Sequence, residues 1–214
     1  MAQSVKERMA QGTNSVLLIQ EGLKKLSSEL RANMPGIVQS FDPLTMTASV
    51  KPAIRESVKN YDSLVPKWTE LPVISDVPVL FPGSSDYIMT FPLQEGDEVV
   101  LIFSDMNIDG FWQTGQTANQ TILRRHALSD AMAIPVQGIS QPKAQAVTDF
   151  NTTYPELRSA DGTLKLGFTA TGFMLTGDLQ VSGSITAATA DIGGIAMTTH
   201  IHSDPQGGTT GGPQ

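Results

Sequence analysis

The chain is organised around one segment, Gln94-Glu95-Gly96-Asp97-Glu98-Val99-Val100-Leu101-Ile102-Phe103. Its first four residues are typical of a tight turn, because glycine and aspartate tolerate the backbone angles that turns require. The residues after the turn are almost all large and apolar, and Val, Ile and Phe favour strands. This is the most apolar run of its region, so we expect it to form a central strand of a sheet.

Shorter β-rich runs surround this segment and are separated by Pro, Gly and Asp. They are Gly36–Phe41, Thr45–Ile54, Asp76–Phe81 and Tyr87–Pro92. A turn at Asp42-Pro43 joins the first two runs and predicts a hairpin. About five or six short strands within residues 34–123 fit a small barrel, and we expect a barrel of the OB type.

Residues 1–33 are predicted to contain a helix. Apolar residues recur there at alternating spacings of three and four, at Val16, Ile19, Leu23, Leu26 and Leu30. Ser15 or Asn14 is available as the N-cap, and Pro35-Gly36 is expected to end the helix. Two heptads are few for a coiled coil. A helix that packs on its own subunit and a short trimeric bundle therefore both remain open.

Two further segments follow the predicted barrel. Residues 124–158 contain three prolines, many Gln and Ala and little periodicity, which predicts an extended connector. Residues 159–214 are punctuated by glycine and include only two aromatic residues, Phe168 and Phe173, with one lysine and no arginine. One copy buries too little surface to offset its ordering entropy. We therefore expect several copies to share a core, as an intertwined, tapering β-prism.

A pair of histidines, His200-Ile201-His202, stands just before the Gly- and Pro-rich end of the chain. Residues two apart on a strand point to the same face, so the two imidazoles would lie roughly 6.6 Å apart along the backbone. Two ligands alone cannot hold a metal. Three copies around an axis would bring six imidazole nitrogens together, and imidazole suits iron, nickel, copper or zinc.

Several segments in one order carry a resemblance to a known family. They are Met34-Pro35-Gly36-Ile37-Val38, Asp76-Val77-Pro78-Val79, Pro92–Ile102, Arg125–Ala131 and the terminal His-x-His. With them the chain resembles the baseplate central spike proteins of contractile-tailed phages. That family is membrane-puncturing and combines an N-terminal OB-fold, a trimeric β-helix and a metal-bearing apex. The resemblance covers most of the chain.

The resemblance implies a mainly β homotrimer with a spike at residues 159–214. It places one octahedral iron ion per trimer on His200 and His202, with six histidine nitrogens as ligands. It implies assembly in the host cytoplasm and a place at the baseplate tip of the virion. The partners it implies are hub and tail tube proteins and the host outer membrane. One departure is the tail Ser203–Gln214, which could fold back around the apex or hang loose.

Composition narrows the other classes of function. The net charge of −7 argues against nucleic acid as a partner, because phosphate binding needs clustered Lys and Arg. The chain has no cysteine, so disulfides and thiolate metal sites are ruled out. The beginning of the chain has no long apolar run, which predicts neither a signal peptide nor a membrane span.

Two alternatives come from other classes. An OB-type module could bind single-stranded nucleic acid or carbohydrate through Trp68, Trp112 and Arg124-Arg125. An enzyme could use His126 or the paired histidines as a catalytic metal centre, which requires an open coordination position. His126, four residues before Asp130, could also form an acid–base couple with it. No nucleophile motif accompanies them, and the acidic groups near Glu95 and Asp105 lack calcium or glycosidase spacing. We therefore expect no catalysis.

Overall fold

A computed structural model describes residues 15–23, 30–58, 67–203, 205–209 and 211. The chain is mainly β and divides into two compact units, Met1–Val147 and Thr148–Gln214. The strands of the first unit are β1 (Asn33–Asp42), β2 (Thr47–Pro52), β3 (Glu56–Val58), β4 (Lys67–Thr69), β5 (Ile74–Pro78), β6 (Glu98–Phe103) and β7 (Ala131–Pro135).

Five of these strands form a curled half-barrel sheet in the order β5-β2-β1-β6-β7. Every neighbouring pair is antiparallel. The two edges approach each other beyond β5, where Val79 makes a parallel bridge to Ala133. The backbone N–H of Leu80 also donates to the carbonyl of Ala133 at 2.8 Å. Strands β3 and β4 form a separate hairpin between β2 and β5.

The core of the first unit lies on the concave side of this sheet and is built from alternate strand residues. Val99, Leu101 and Phe103 of β6 are buried and their neighbours are less so, as the period of two in a strand requires. They pack with Val38, Ala48, Val50, Ile74, Val77, Val79, Ala131 and Ala133. The predicted strand 98–103 is confirmed as an interior strand, although β1 is the middle one.

Gly36 on β1 lies where a side chain has no room. A Cβ built at this position would be 2.5 Å from Cγ1 of Val50 and 3.1 Å from Cγ of Leu101. We expect Gly36→Ala to lower the free energy of unfolding by about 1–3 kcal/mol, because overpacking forces neighbours off their rotamers. Urea unfolding measures this. The control is Gly172→Ala, where no atom lies within 4 Å, and an equal loss there would contradict the steric cause.

The predicted hairpin at Asp42 is confirmed, since β1 and β2 pair from Gly36–Pro52 to Asp42–Thr47. The predicted strand 87–92 is wrong. There the chain forms an irregular loop that is closed by a single Gly83–Ile88 bridge. Tyr87 and Ile88 remain exposed in that loop, so apolar composition alone did not produce pairing.

The segment 124–158 holds more regular structure than an extended connector. Its residues Ala131–Pro135 form β7 and pair with β6 from Phe103–Ala131 to Val99–Pro135. Small residues let this strand fit against the core, because Ala131 and Ala133 are buried without bulk. The sheet therefore continues beyond residue 123, where the sequence placed the end of the barrel.

Helices are short in the described residues. They are α1 (15–23), α2 (Asp109–Thr114) and α3 (Gln141–Gln145). All nine described residues of α1 are exposed, and Leu30 is not helical. Leu26 lies outside the described residues, as does the predicted N-cap Asn14. None of the described helices has the length and apolar character to cross a membrane.

The second unit carries five short strands in two small sheets. They are β8 (Glu156–Arg158), β9 (Lys165–Phe168), β10 (Phe173–Thr176), β11 (Asp191–Ile192) and β12 (Ile195–Ala196). Strands β9 and β10 lie in the glycine-punctuated segment 159–214, and residues 178–182 of that segment form no strand. The intertwined trimer stays a prediction.

Candidate metal-binding tip

The two histidines follow a tight hairpin. Strands β11 and β12 pair from Asp191–Ala196 to Ile192–Ile195. The turn between them is Gly193-Gly194, with φ of 62° and 82°, which glycine adopts without steric cost. Asp191 Oδ1 accepts a hydrogen bond from the Gly194 N–H at 2.9 Å. The chain therefore leaves the hairpin in a defined direction toward residue 200.

His200 is held on two sides by the backbone that precedes it. Its N–H donates to the carbonyl of Ala196 at 3.0 Å, and its ring Nδ1 lies 3.2 Å from the carbonyl of Met197. A ring in which Nδ1–H donates to this carbonyl presents a lone pair at Nε2, which is a form that metal-binding histidines take. The half-buried His200 ring therefore fits the donor set of an imidazole metal site.

The structure brings His200 and His202 together. Their ring centroids are 5.2 Å apart with an interplanar angle of 88°. The residues between them are not part of a strand, unlike the prediction, because β12 ends at Ala196 and the chain turns before His200. Among the described residues, no group of three or more His, Asp or Glu side chains could hold a metal. An ion at this pair would need further ligands beyond the two histidines.

The described part of the tail beyond His202 folds back. Ser203 pairs with Thr209 in an antiparallel bridge, and the turn between them contains Gly207 with φ of 89°. This bridge is a local turn within the tail, and a tail folded around the apex stays a prediction. Asp204, which could serve as a ligand, lies outside the described residues.

A second polar cluster lies in the first unit and differs from the sequence expectation. The sequence suggested a pair between His126 and Asp130. Instead, the carboxylate of Asp130 accepts from Arg124 Nε at 2.6 Å and Nη2 at 2.8 Å. His126 lies 3.2 Å from Asp105. The cause is that residues 126–130 are not one α-helix, since only Leu128–Asp130 form a 3-10 turn.

Asp130 is fully buried, and its surroundings hold it ionised. Burial raises the pKa of its carboxyl, but hydrogen bonds from Arg124 and from the backbone N–H of Ile108, with the guanidinium charge, bring the net pKa below its usual range. Arg124 also contacts Asp109 at 3.1 Å. This cluster joins the two ends of the long β6–β7 connection, so its role is structural.

Sequence reasoning treated the acidic residues near Glu95 as solvated turns, and one of them has a specific partner. The Glu98 carboxylate accepts from both the backbone N–H and the hydroxyl of Ser140. These bonds lower the pKa of Glu98. No spacing in the sequence signalled this pair, because the partners are 42 residues apart.

The residues of the binding-module alternative are scattered. Trp68 lies on β4 and Trp112 on α2, and their exposed fractions are 61% and 49%. Arg124 is occupied by Asp130 and Asp109, and Arg125 pairs with Asp105 at 2.6 Å. The basic group that would attract a phosphate is therefore neutralised within the domain.

The half-barrel sheet spans the part of the chain that resembles a known family. Residues 34–136 match the family model of the Phage protein Gp138 N-terminal domain. The match supports a phage protein. No curated protein matches the chain. The Gp138 N-terminal domain match spans a little under half of the chain and includes the Asp130 cluster, whereas His200 and His202 lie outside it.

Proposed function

We propose that the chain is a structural spike of a phage tail baseplate, works as a homotrimer and punctures the host outer membrane when the tail contracts. The match to the Phage protein Gp138 N-terminal domain supports a phage structural role. The observation that carries the proposal is the lack of a hydrophobic core in the second unit.

Among the described residues of Thr148–Gln214, Gly167 alone is buried, and the buried apolar side chains all belong to the first unit. Exposed apolar residues nevertheless continue through the second unit as far as Ile201. A segment with ordered strands and no core of its own cannot offset its ordering entropy alone. Other copies of the chain would supply the missing contacts.

The topology of the first unit supports the OB-type barrel within this proposal. Strand β1 pairs with β2 and with β6, and the chain just beyond β5 approaches β7 in parallel at Val79–Ala133. This arrangement fits the partly open, five-stranded Greek-key barrel of the OB type. Such a domain would form the collar toward the hub and tail tube proteins.

His200 and His202 would hold one iron ion on the axis of the trimer, with six imidazole nitrogens around it. The two ring centroids are 5.2 Å apart, and the contact of His200 Nδ1 to Met197 fits ligation through Nε2 of that ring. Such an ion would couple metal binding to the folding of three chain ends. The ion would stiffen the tip of the spike.

The proposed action is mechanical and needs no catalysis. A narrow tip concentrates the force of contraction on a small area, and no bond has to be made or broken. The acid–base candidates support this reading, since His126 contacts Asp105 while Asp130 is occupied by Arg124. The alternative, an OB module for single-stranded nucleic acid or carbohydrate, is less well supported because Arg124 and Arg125 are neutralised by carboxylates.

The mass of the full chain in solution tests the proposal. We expect sedimentation equilibrium to give about three times the 22.9 kDa of one chain, and to do so at every protein concentration examined. A stable monomer would remove the basis of the spike. A monomer that bound single-stranded DNA with strong salt dependence would favour the binding module instead.

A further inference from the structure

One face of the sheet β8-β9-β10 is a ladder of apolar side chains. Leu157 on β8 lies opposite Leu166 on β9, and Leu166 lies opposite Leu175 on β10. Residues directly opposite in an antiparallel pair point to the same face. The exposed fractions of these three leucines are 54%, 48% and 45%, so the ladder has no cover within the chain.

Two aromatic residues extend this face. Phe168 and Phe173 are opposite each other in the β9–β10 register, and their ring centroids are 4.7 Å apart. Each is two residues from a leucine of the ladder, which places it on the same face. Both rings are exposed. The apolar face therefore consists of Leu157, Leu166, Phe168, Phe173 and Leu175.

The opposite face of the same sheet is covered at β8 and β9, whereas Met174 and Thr176 on β10 are exposed there. Arg158 donates to the backbone carbonyls of Thr148 and Asp149 and lies 3.4 Å from Glu156. Lys165 pairs with Asp149. These contacts lay the segment before β8 across this face and match the charges within the chain. The charged side chains of this face therefore have partners within the chain, whereas the apolar face stays exposed to solvent.

We propose that the apolar face is the surface through which each chain packs against two further copies of itself. The inference rests on the proposed function and adds the place where the copies meet. The face carries no charge and no hydrogen-bonding side chain, so it suits an identical apolar face better than a polar partner. The described residues of the second unit bury no apolar side chain, so the copies that complete its core would also cover this face.

The contact would begin at Glu156, upstream of the segment that the sequence assigned to the spike. Leu157 belongs to the ladder although it precedes residue 159. Arg158, its neighbour, faces the covered side. Because side chains alternate between the two faces of a strand, Leu157 would face the partner chains while Arg158 faces its own chain.

Two matched aspartates test the face. We expect Leu166→Asp to abolish the trimer at concentrations where the natural chain is trimeric, because a charge would be buried without a partner. Thr176→Asp adds the same charge to the opposite face, at an exposed position next to Lys165 in the register, and should leave the mass unchanged. Near-ultraviolet circular dichroism of Trp68 and Trp112 shows whether the first unit stays folded.

A second measurement does not depend on disrupting the assembly. The chain has no cysteine, so single substitutions give one reactive thiol per chain. Leu166→Cys should cross-link between copies with a short bifunctional maleimide, and Thr176→Cys should not. If the natural chain is trimeric but Leu166→Asp is also trimeric and Leu166→Cys fails to cross-link, the face is wrong and the trimer stands. A monomeric natural chain would overturn the proposed function as well.

Discussion

Asp130→Ala is expected to lower the free energy of unfolding of the first unit by about 3–5 kcal/mol. Removing one partner of a buried ion pair is strongly destabilising, and here Arg124 would keep only its contact to the half-exposed Asp109. Arg124 would lose its bonds at 2.6 and 2.8 Å, and the backbone N–H of Ile108 would lose its acceptor at 3.1 Å. Urea unfolding followed by tryptophan fluorescence measures the change, because both tryptophans lie in this unit.

The control removes a carboxylate from an exposed ion pair of the same connection. Asp105 contacts Arg125 at 2.6 Å with both side chains more than half exposed, and such pairs contribute about 1 kcal/mol or less. Asp105→Ala should therefore cost far less than Asp130→Ala. Similar losses for the two variants would show that the burial of Asp130 is not what matters.

The contribution of Asp130 to the free energy of unfolding depends on pH. The folded-state pKa of Asp130 lies below its usual range, so its contribution is fully present above the unfolded value of about 3.9. It is lost as the pH falls through the lower folded value. The difference in stability between the natural chain and Asp130→Asn should consequently be constant near neutral pH and should narrow in acid below about pH 4.

The second large effect concerns metal content. Changing His200 and His202 together to Ala is expected to abolish bound iron while the trimer persists, since the apolar face lies well before the tip. The natural trimer should contain one iron per three chains by elemental analysis. Independent surface sites would give one per chain, and a weak, variable amount would indicate incidental binding.

The chain supplies its own control for this experiment. The chain has three histidines, and His126, the one outside the pair, lies in the first unit beside Asp105. His126→Ala should keep the full metal content and the same stoichiometry. Loss of iron in His126→Ala, or a natural chain purified from iron-containing medium without any iron, would contradict the assignment to the tip.

The apolar run and the turn residues were enough to predict the interior strand β6 and the hairpin of β1 and β2. The run from Val99 to Phe103 is apolar throughout, and Asp42-Pro43 marks the turn between β1 and β2. Strand β7 was missed because Ala131–Pro135 alternates alanine with Met132 and Ile134, ends in proline and lies in a region of little periodicity. Its strand character comes from tertiary pairing with β6. The loop 87–92 shows the reverse case, apolar residues without a partner strand.

At the tip, the sequence identified the histidine pair but not how it is held. The Nδ1 contact to Met197 arises because the chain turns after β12, and no local motif announces that turn. The Arg124–Asp130 pair was missed for a related reason. A spacing of four suggested His126 and Asp130 as helical neighbours, whereas the 3-10 turn at Leu128–Asp130 points the carboxylate to Arg124. Spacing arguments depend on the helix they assume.

The single approach of Val79 to Ala133 bears on the order in which the half-barrel folds. The sheet extends outward from β1 on both sides, through β2 to β5 and through β6 to β7. Because the two edges can meet only after both arms are in place, we expect this contact to form after the folding transition state. Contacts made that late slow unfolding and leave the folding rate nearly unchanged. On this expectation the closure sets how long the half-barrel stays closed rather than how quickly it folds.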